Sequence, residues 1–325
     1  MKKYVLSFLL FYPLLTYSQY DGIVGTEGCK AIHCKDKRII AWADNCVVVR
    51  GYQDIAKPEN GFVSYGNEQN ALGAANDTDA TNAISLGDGG YAVLSFTTPI
   101  VNGEGADFVV FENSLNDVFL ELAFVEVSSD NVHFVRFPAS SFTPTDQQVG
   151  SFGSVDARHI NHLAGKYRIG WGTPFDLSVL ADSGNLDINN IRYVKIIDVV
   201  GCIDSLYASY DAEGRIINDP YPTNFASGGF DLSGVGVIHN ATSAIKNANS
   251  IAYKVYPNPC SDYIIVEGDC ASIIIYNSVG QLIKNINVED NLKQIDVSSF
   301  PAGIYYLCVN AFNQSKQYIK IIKHY

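Results

Sequence analysis

Wherever aromatic and β-branched residues concentrate, this chain alternates apolar and polar side chains in short runs. Each run breaks at Gly, Asn, Asp or Pro. Tyr91-Ala92-Val93-Leu94-Ser95-Phe96 is one example, entered through Leu86-Gly87-Asp88-Gly89-Gly90. Successive residues of a strand point to opposite faces, so a period of two buries one face of a sheet, whereas a helix needs a period near 3.6. The pattern predicts strands over 91–96, 107–112, 122–128, 132–137, 191–198 and 230–238. Ser129-Asp130-Asn131 turns the third back into the fourth as a hairpin. Long loops fill 51–85 and 138–190. The expected fold class is therefore all-β.

Apolar residues make up 47% of the 325 positions and aromatics 12%, enough for one large core and a smaller one. The formal charge of −12 argues against nucleic acid and against anionic membrane surfaces, both of which need clustered Lys and Arg. At the start, Met1-Lys2-Lys3 precedes a short apolar run and the small-residue exit Thr16-Tyr17-Ser18, the pattern of a secretory signal peptide over 1–18. A span of the bilayer core takes about 20 apolar residues, and no later stretch reaches that, so no transmembrane segment is expected. The Ala-, Ser- and Asn-rich stretch 241–253 has little bulk and is the expected linker.

From Lys254 onward, six short segments (263–266, 272–276, 281–287, 293–297, 303–309 and 317–323) have the spacing of a small sandwich. The runs Tyr256-Pro257-Asn258-Pro259, Tyr276-Asn277-Ser278-Val279-Gly280-Gln281 and Pro301-Ala302-Gly303-Ile304-Tyr305 occur there in order. In these runs 254–325 resembles the type A C-terminal sorting domain of the type IX secretion system. The resemblance implies an immunoglobulin-like β-sandwich, export by a Bacteroidetes-type cell, and an outer-membrane translocon with its sorting machinery as partners. It also implies delivery to the outer cell surface or release.

Residues 19–240 carry a second resemblance. Val125-Glu126-Val127-Ser128-Ser129-Asp130 with the returning His133-Phe134-Val135-Arg136-Phe137 is similar to the hairpin of discoidin-type, galactose-binding-like domains. Ile191-Arg192-Tyr193-Val194 and Phe230-Asp231-Leu232 are similar to later strands of that fold. The resemblance implies a jelly-roll sandwich. The runs Ser85 to Gly90, Pro99 to Asn113 and Phe225 to Leu232 also resemble a group of uncharacterised bacterial cell-surface proteins, which implies surface location and ligand recognition.

Several residues are candidates for chemistry. Asn76-Asp77-Thr78-Asp79 is a short acidic loop whose carboxylates suit Ca²⁺, with Asp77, Asp79 and Asp231 as ligands. Asn and Asp are equally favoured in plain turns. Glu112 and Asn113 close an apolar strand, and Asp107 precedes it; the three suit sugar hydroxyls, or simply anchor the next loop. His159, His162 and Trp171 fall in the long loop, where aromatic and polar groups suit a sugar ring; the two histidines have the spacing of one helical turn. Asp219 to Phe225 is a proline-rigidified aromatic segment able to rim the same site. Cys29, Cys34, Cys46 and Cys202 are expected to pair as disulfides in an exported chain, in any of three pairings, the first three stapling an N-terminal loop and the fourth tying it to the 200s region. A metal site is the rival, but the spacing matches no zinc pattern and His33 is the only histidine nearby.

No nucleophile elbow, His-Glu-x-x-His run or phosphate-binding glycine loop is present. The leading expectation is a surface recognition protein that binds a glycan or other small ligand, more a binder than an enzyme. A polysaccharide hydrolase using Glu112 with a second carboxylate and a purely structural surface protein are the alternatives.

Overall fold

A computed structural model describes residues 20–242, 253–268, 270–288, 292–310 and 316–324. The expected signal peptide and most of the expected linker lie outside the described residues. The chain divides into two compact units, Met1–Ala241 and Thr242–Tyr325. No helix among the described residues is long and apolar enough to cross a membrane.

The strands of the first unit are β1 (Ile32–His33), β2 (Ala41–Trp42), β3 (Asn45–Val49), β4 (Ile84–Ser85), β5 (Tyr91–Ile100), β6 (Phe108–Glu112), β7 (Ala123–Ser128), β8 (Val135–Arg136), β9 (Ser140–Ser141), β10 (Ile160–Asn161), β11 (Leu163–Ala164), β12 (Trp171–Phe175), β13 (Ile191–Asp198) and β14 (Asp231–Val237). They form two antiparallel six-stranded sheets and one short pair. One sheet runs β1-β12-β6-β14-β2, with β4 on β14; the other runs β11-β7-β13-β5-β3, with β8 on β7.

One core joins the two sheets. Phe108, Val110, Phe175, Leu232, Val235 and Val237 from the first meet Ala92, Leu94, Phe96, Val125, Val127, Val194 and Ile196 from the second. The alternation expected for 91–96 is seen, and that for 191–198 is seen from Tyr193 on. Ala92, Leu94, Phe96, Val194 and Ile196 point inward and Tyr91, Val93, Tyr193 and Lys195 outward, while a register shift leaves Ile191 buried and Arg192 exposed. β6 is different, because it is buried on both faces. Val109 and Phe111 pack away from the main core against Ile32, Cys34, Ala75 and Ile238. The N-terminal segment therefore covers the back of this sheet, which is why β6 reads as an unbroken apolar run.

The expected hairpin forms, with Glu126 opposite Arg136 and Val127 opposite Val135. Its return strand is shorter than 132–137, because side chains capture the amides first. Asp130 Oδ1 accepts the N–H groups of Val132 (2.9 Å) and His133 (2.8 Å). Ser128 Oγ accepts that of Asn131 (3.0 Å), whose φ is 63°. The loop expected over 138–190 contains β9 to β12, which the sequence did not signal.

The expected disulfides are absent: all seven cysteines are unpaired. Cys46 belongs to the main core, Cys34 to the cluster behind β6, and Cys202 to a third cluster with Val200 and Tyr221. Cys34 and Cys46, two of the three expected to staple the N-terminal loop, are thus buried in different apolar clusters, and Cys202, expected to tie that loop to the 200s region, lies in another.

The second unit holds β15 (Lys254–Tyr256), β16 (Tyr263–Glu267), β17 (Ser272–Asn277), β18 (Leu282–Asn287), β19 (Leu292–Asp296), β20 (Gly303–Asn310) and β21 (Lys316–Lys323). They form a three-stranded sheet, β15-β16-β19, and a four-stranded sheet, β18-β17-β20-β21. Ile264, Val266 and Ile295 of the one meet Ile273, Ile275, Leu307 and Ile321 of the other. Motif residues brace this sandwich. Asn258 Nδ2 donates to the Lys320 carbonyl (2.8 Å), and its Oδ1 accepts the Ile322 N–H (2.9 Å), so the segment Tyr256-Pro257-Asn258-Pro259 is stitched to β21. Tyr305 is buried and donates its hydroxyl hydrogen to the Pro301 carbonyl (2.8 Å), closing the turn that contains Gly303.

Candidate functional site

The chemistry concentrates where β6 ends and β14 begins. Asp231 opens β14 and stands in register with Ser85 of β4, whose hydroxyl donates to Asp231 Oδ1. Asn113, the first residue past β6, donates through Nδ2 to the Ala80 carbonyl (2.8 Å) and to Asp231 Oδ2 (3.2 Å). Glu112, fully interior, accepts the Ser114 N–H (2.7 Å) and so sets the direction in which the chain leaves the strand. Asn116 Oδ1 then accepts the amides of Val118 (2.9 Å) and Phe119 (2.7 Å), which ties the next loop.

That loop delivers Glu121, whose side chain is buried, lines the opening, and has no hydrogen-bond or ion-pair partner among the described residues. Asn113, Glu121 and Asp231 form the floor of a cleft of about 440 Å³. Its rim is aromatic. Phe119, Phe152 and Phe225 form a chain of rings with centroids 6.2 and 5.5 Å apart, and Phe152 is 77% exposed. A large apolar side chain left in water beside a polar hollow marks a place where a ligand can stack. The Phe225-to-Gly229 segment reaches the rim only because Gly228 lacks a side chain: a Cβ there would lie 2.2 Å from the Thr223 carbonyl oxygen.

The floor is electrostatically unusual. Burial raises the Asp231 carboxyl to about 6, although the Ser85 and Asn113 hydrogen bonds and the Arg50 charge pull the other way. Burial first, and the Asp231 charge second, hold Glu112 and Glu121 well above the usual carboxylate range. Arg50 donates to the carbonyls of Tyr65 (2.7 Å), Ser85 (2.5 Å) and Gly66 (2.7 Å). It fixes the cleft wall without pairing with a carboxylate. The floor therefore offers protonated or readily protonated carboxyls beside an amide, a set that both donates and accepts hydrogen bonds.

The sequence-predicted residues divide. Asn113 and Asp231 line the cleft, Glu112 lies directly behind it, and Thr223 and Phe225 supply part of its rim. Asp107 sits at the far end of β6, about 20 Å away at ~3.3 Å per residue. Its oxygens accept Gly103 N–H (2.7 Å) and Leu177 N–H (2.8 Å) and face His239 Nδ1 (2.8 Å), a wholly structural set. His159 ends a 3-10 turn and β10 follows at once, so the two histidines do not share a helical face. His159 lines a separate shallow groove with Asp156 and Gln148, while His162 packs on Phe137 and meets the Pro138 carbonyl (3.1 Å). Trp171 is the first residue of β12, edge-on to the His33 ring.

Asp77, Asp79 and Asp231 do not assemble as one ligand set. Asp77 pairs with Lys35 (2.6 Å), Asp79 accepts the Thr81 N–H (2.9 Å), and Asp231 stays in the cleft. Glu121 and Phe152 were not singled out by sequence as cleft residues. A lone Glu inside Phe119-Leu120-Glu121-Leu122 and a Phe between Ser151 and Gly153 were the available signals. A larger groove of about 720 Å³ lies along 20–27 and 154–158. Asp21 is engaged there by Lys166 (2.8 Å) and Asp156 by Arg158 (2.6 Å), while Asp117 meets Arg168 (2.6 Å) through one oxygen only, its buried Oδ1 having no partner.

Comparison with known proteins adds the export route. Residues 254–324 match the family model of the secretion system C-terminal sorting domain. This tail marks the chain for export through the type IX system to the cell surface or the medium. A 60-residue stretch is 37% identical to β-agarase A of Zobellia galactanivorans, covering 17% of this chain and 11% of that enzyme. Among solved structures, PorZ, a surface component of the type IX secretion system of Porphyromonas gingivalis, aligns at 14% identity with a TM-score of 0.20, over 57% of this chain and 33% of that one. A β-glucuronidase of Ruminococcus gnavus aligns at 11% identity with a TM-score of 0.22, over 87% and 46%. The chain thus spans less than half of either structure, and scores of this size do not establish a common fold.

Proposed function

We propose that the first unit is a recognition domain, exported and displayed by the sorting tail, whose cleft binds a glycan or a similar hydroxyl-rich ligand. The observation that carries this reading is Glu121: a buried carboxyl without a protein partner, set beside Asn113 and Asp231 under exposed aromatic rings. Its oxygens open into the cleft rather than being sealed from solvent, so a ligand hydroxyl can bond to them in place of water. Aromatic faces stack on the apolar face of a sugar ring. A jelly-roll sandwich of galactose-binding-like type, spanning 19–240, fits the two-sheet architecture and the loops gathered at its end. Within the same proposal, 1–18 is the removed signal peptide, 241–253 the linker and 254–325 the sorting domain.

Binding of the full chain to a glycan array, with and without Ca²⁺, tests the reading. Phe225→Ala and Glu121→Gln are each expected to weaken a positive signal about tenfold or more, the equivalent of ~1.4 kcal/mol. Tyr193→Ala, on the outer face of the other sheet, should leave it unchanged. Binding to no glycan, or binding lost only in Tyr193→Ala, would overturn the assignment. A hydrolase is the second reading, favoured by the Glu121 and Asp231 carboxyls in one cleft. Release of reducing ends that Glu121→Gln abolishes while binding persists would establish it instead.

A further inference from the structure

A second group of side chains lies apart from the cleft, on the back of the β1-β12 pair. His33, Cys34 and Asp77 each place one donor atom within 4.8 Å of the other two. No other group of three or more His, Cys, Asp or Glu donors comes this close among the described residues. We propose that this triad is a binding site for a divalent transition-metal ion of the zinc class.

The fold brings Asp77 to the adjacent pair His33-Cys34 from 43 residues further along the chain. His33 pairs with Trp171 across β1 and β12, and the Cys34 N–H is donated to the Gly170 carbonyl (2.9 Å). The Trp171 ring meets His33 edge-on at 4.7 Å and limits its orientation. Asp77 arrives from the 76–79 turn, which Asn76 Oδ1 shapes by accepting the Thr78 N–H (2.8 Å) and the Asp79 N–H (3.0 Å). Its approach depends on Gly170, where a Cβ would lie 2.6 Å from Asp77 Cβ.

The donors are one nitrogen, one sulfur and one oxygen. That mixture selects a borderline ion such as Zn²⁺, because Ca²⁺ and Mg²⁺ take oxygen almost exclusively. Around a tetrahedral Zn²⁺, with bonds of about 2.0–2.3 Å, neighbouring ligand atoms stand ~3.5 Å apart. His33 Nε2 and Asp77 Oδ2 already lie 3.6 Å apart, so small side-chain movements close the set. Cys34 is buried, whereas the other two side chains are partly open to water, which leaves an entry path and room for a fourth ligand.

Two existing contacts must adapt. Lys35 Nζ sits 2.6 Å from Asp77 Oδ2 on a side chain that is 72% exposed, so it can swing into solvent. His33 Nδ1 accepts the exposed Lys35 N–H at 3.2 Å; in the loaded state Nδ1 carries the ring proton and Nε2 holds the metal. Binding releases one proton to solvent, from the Cys34 thiol. The site also gives a role to a buried thiol that has no disulfide partner in an exported protein.

Titration of the reduced, metal-free full chain with Co²⁺, followed by Zn²⁺ competition, decides the matter. One equivalent should bind, with thiolate-to-cobalt charge-transfer absorption and the ligand-field bands of a four-coordinate ion, and Zn²⁺ should bleach both. Cys34→Ser should lose the charge-transfer band. His33→Gln should weaken Zn²⁺ affinity by ~tenfold or more. Asp79→Asn, two residues beyond Asp77 and outside the triad, should bind normally. If Cys34→Ser does not fold, His33→Gln on the partly open ring decides alone. Absence of a charge-transfer band in the parent chain, or unchanged Zn²⁺ affinity in His33→Gln, would overturn the site.

Discussion

Gly90→Ala should destabilise the first unit by about 3 kcal/mol or more, because the new methyl has nowhere to go. A Cβ at this position would stand 2.0 Å from the Leu86 carbonyl oxygen and 2.5 Å from the Gly51 nitrogen, both backbone atoms. Neither can rotate aside as a side-chain tip would. The turn is pinned on every side. Gly51 N–H is donated to Leu86 O (2.7 Å), Gly90 N–H to Gly87 O (2.8 Å) and Asp198 N–H to Gly90 O (2.9 Å). Tyr52 and Asp88 exchange both of their backbone hydrogen bonds across the same contact. Shifting the turn would disturb Leu86, which is fully interior, and the start of β5. Gly89→Ala is the internal comparison: φ is +73° there but nothing lies within 4 Å, so only the left-handed conformation is penalised, by about 1–2 kcal/mol. Chemical denaturation of both variants measures the difference. A Gly90→Ala chain as stable as the parent would show that the two loops do not touch.

Asp231→Asn should reduce the fall of stability with rising pH between about pH 4 and 7. The folded-state carboxyl is raised from 3.8 to about 6, so the folded chain holds this proton more tightly than the unfolded chain does. Stability attributable to Asp231 is therefore fully present below pH ~4 and declines as pH rises through about 6. A shift of two units corresponds to ~3 kcal/mol at most, since each unit is 1.36 kcal/mol. Glu112 and Glu121, raised by burial, extend the decline to higher pH. His162 opposes it in the lower part of the window, because burial depresses its pKa and its contribution is lost as pH falls below ~6.5. Carboxylates held low by hydrogen bonds, such as Asp130, lose their contribution only below pH ~4 and leave the window clear. The quantity to compare is thus the slope of unfolding free energy against pH in parent and variant. Equal slopes would mean that Asp231 ionises in the folded chain as it does in water.

The β segments of both units were legible because they are local facts. A period of two survives in β5, most of β13, β16 and β17, since each has one face on a core and the other more open to water. Legibility failed where tertiary context overrode pattern. β1, β9, β10 and β11 are two-residue strands whose partners lie elsewhere in the chain, and no local run of two residues can announce a strand. β12 hides a proline and a glycine, Trp171-Gly172-Thr173-Pro174-Phe175, which read as loop. The return strand after Asp130 read as longer than it is, because side-chain acceptors took amides that a ladder would otherwise use.

The candidate site divides along the same line. Asn113, Asp231 and Phe225 were visible as polar or aromatic residues at strand ends and in rigid loops. Glu121 was visible only as one carboxylate among several, because burial without a partner is a property of three-dimensional packing. Asp77 was assigned to the wrong neighbours for a similar reason: the sequence shows Asp79 beside it, while the fold sets it against His33 and Cys34.

By itself, the sequence determined that the chain is all-β and that its last 70 or so residues form a sorting module for export. Both follow from short-range order, a two-residue period and a contiguous motif, which any stretch of chain carries on its own. Only the tertiary structure decided which carboxylates share a cleft, which cysteines stay apart and which carboxylate meets the adjacent His33 and Cys34. These depend on contacts between residues 40 to 150 positions apart, such as His33 with Asp77 and Ser85 with Asp231. Such contacts are fixed by how two sheets close over one core, and no local pattern encodes that.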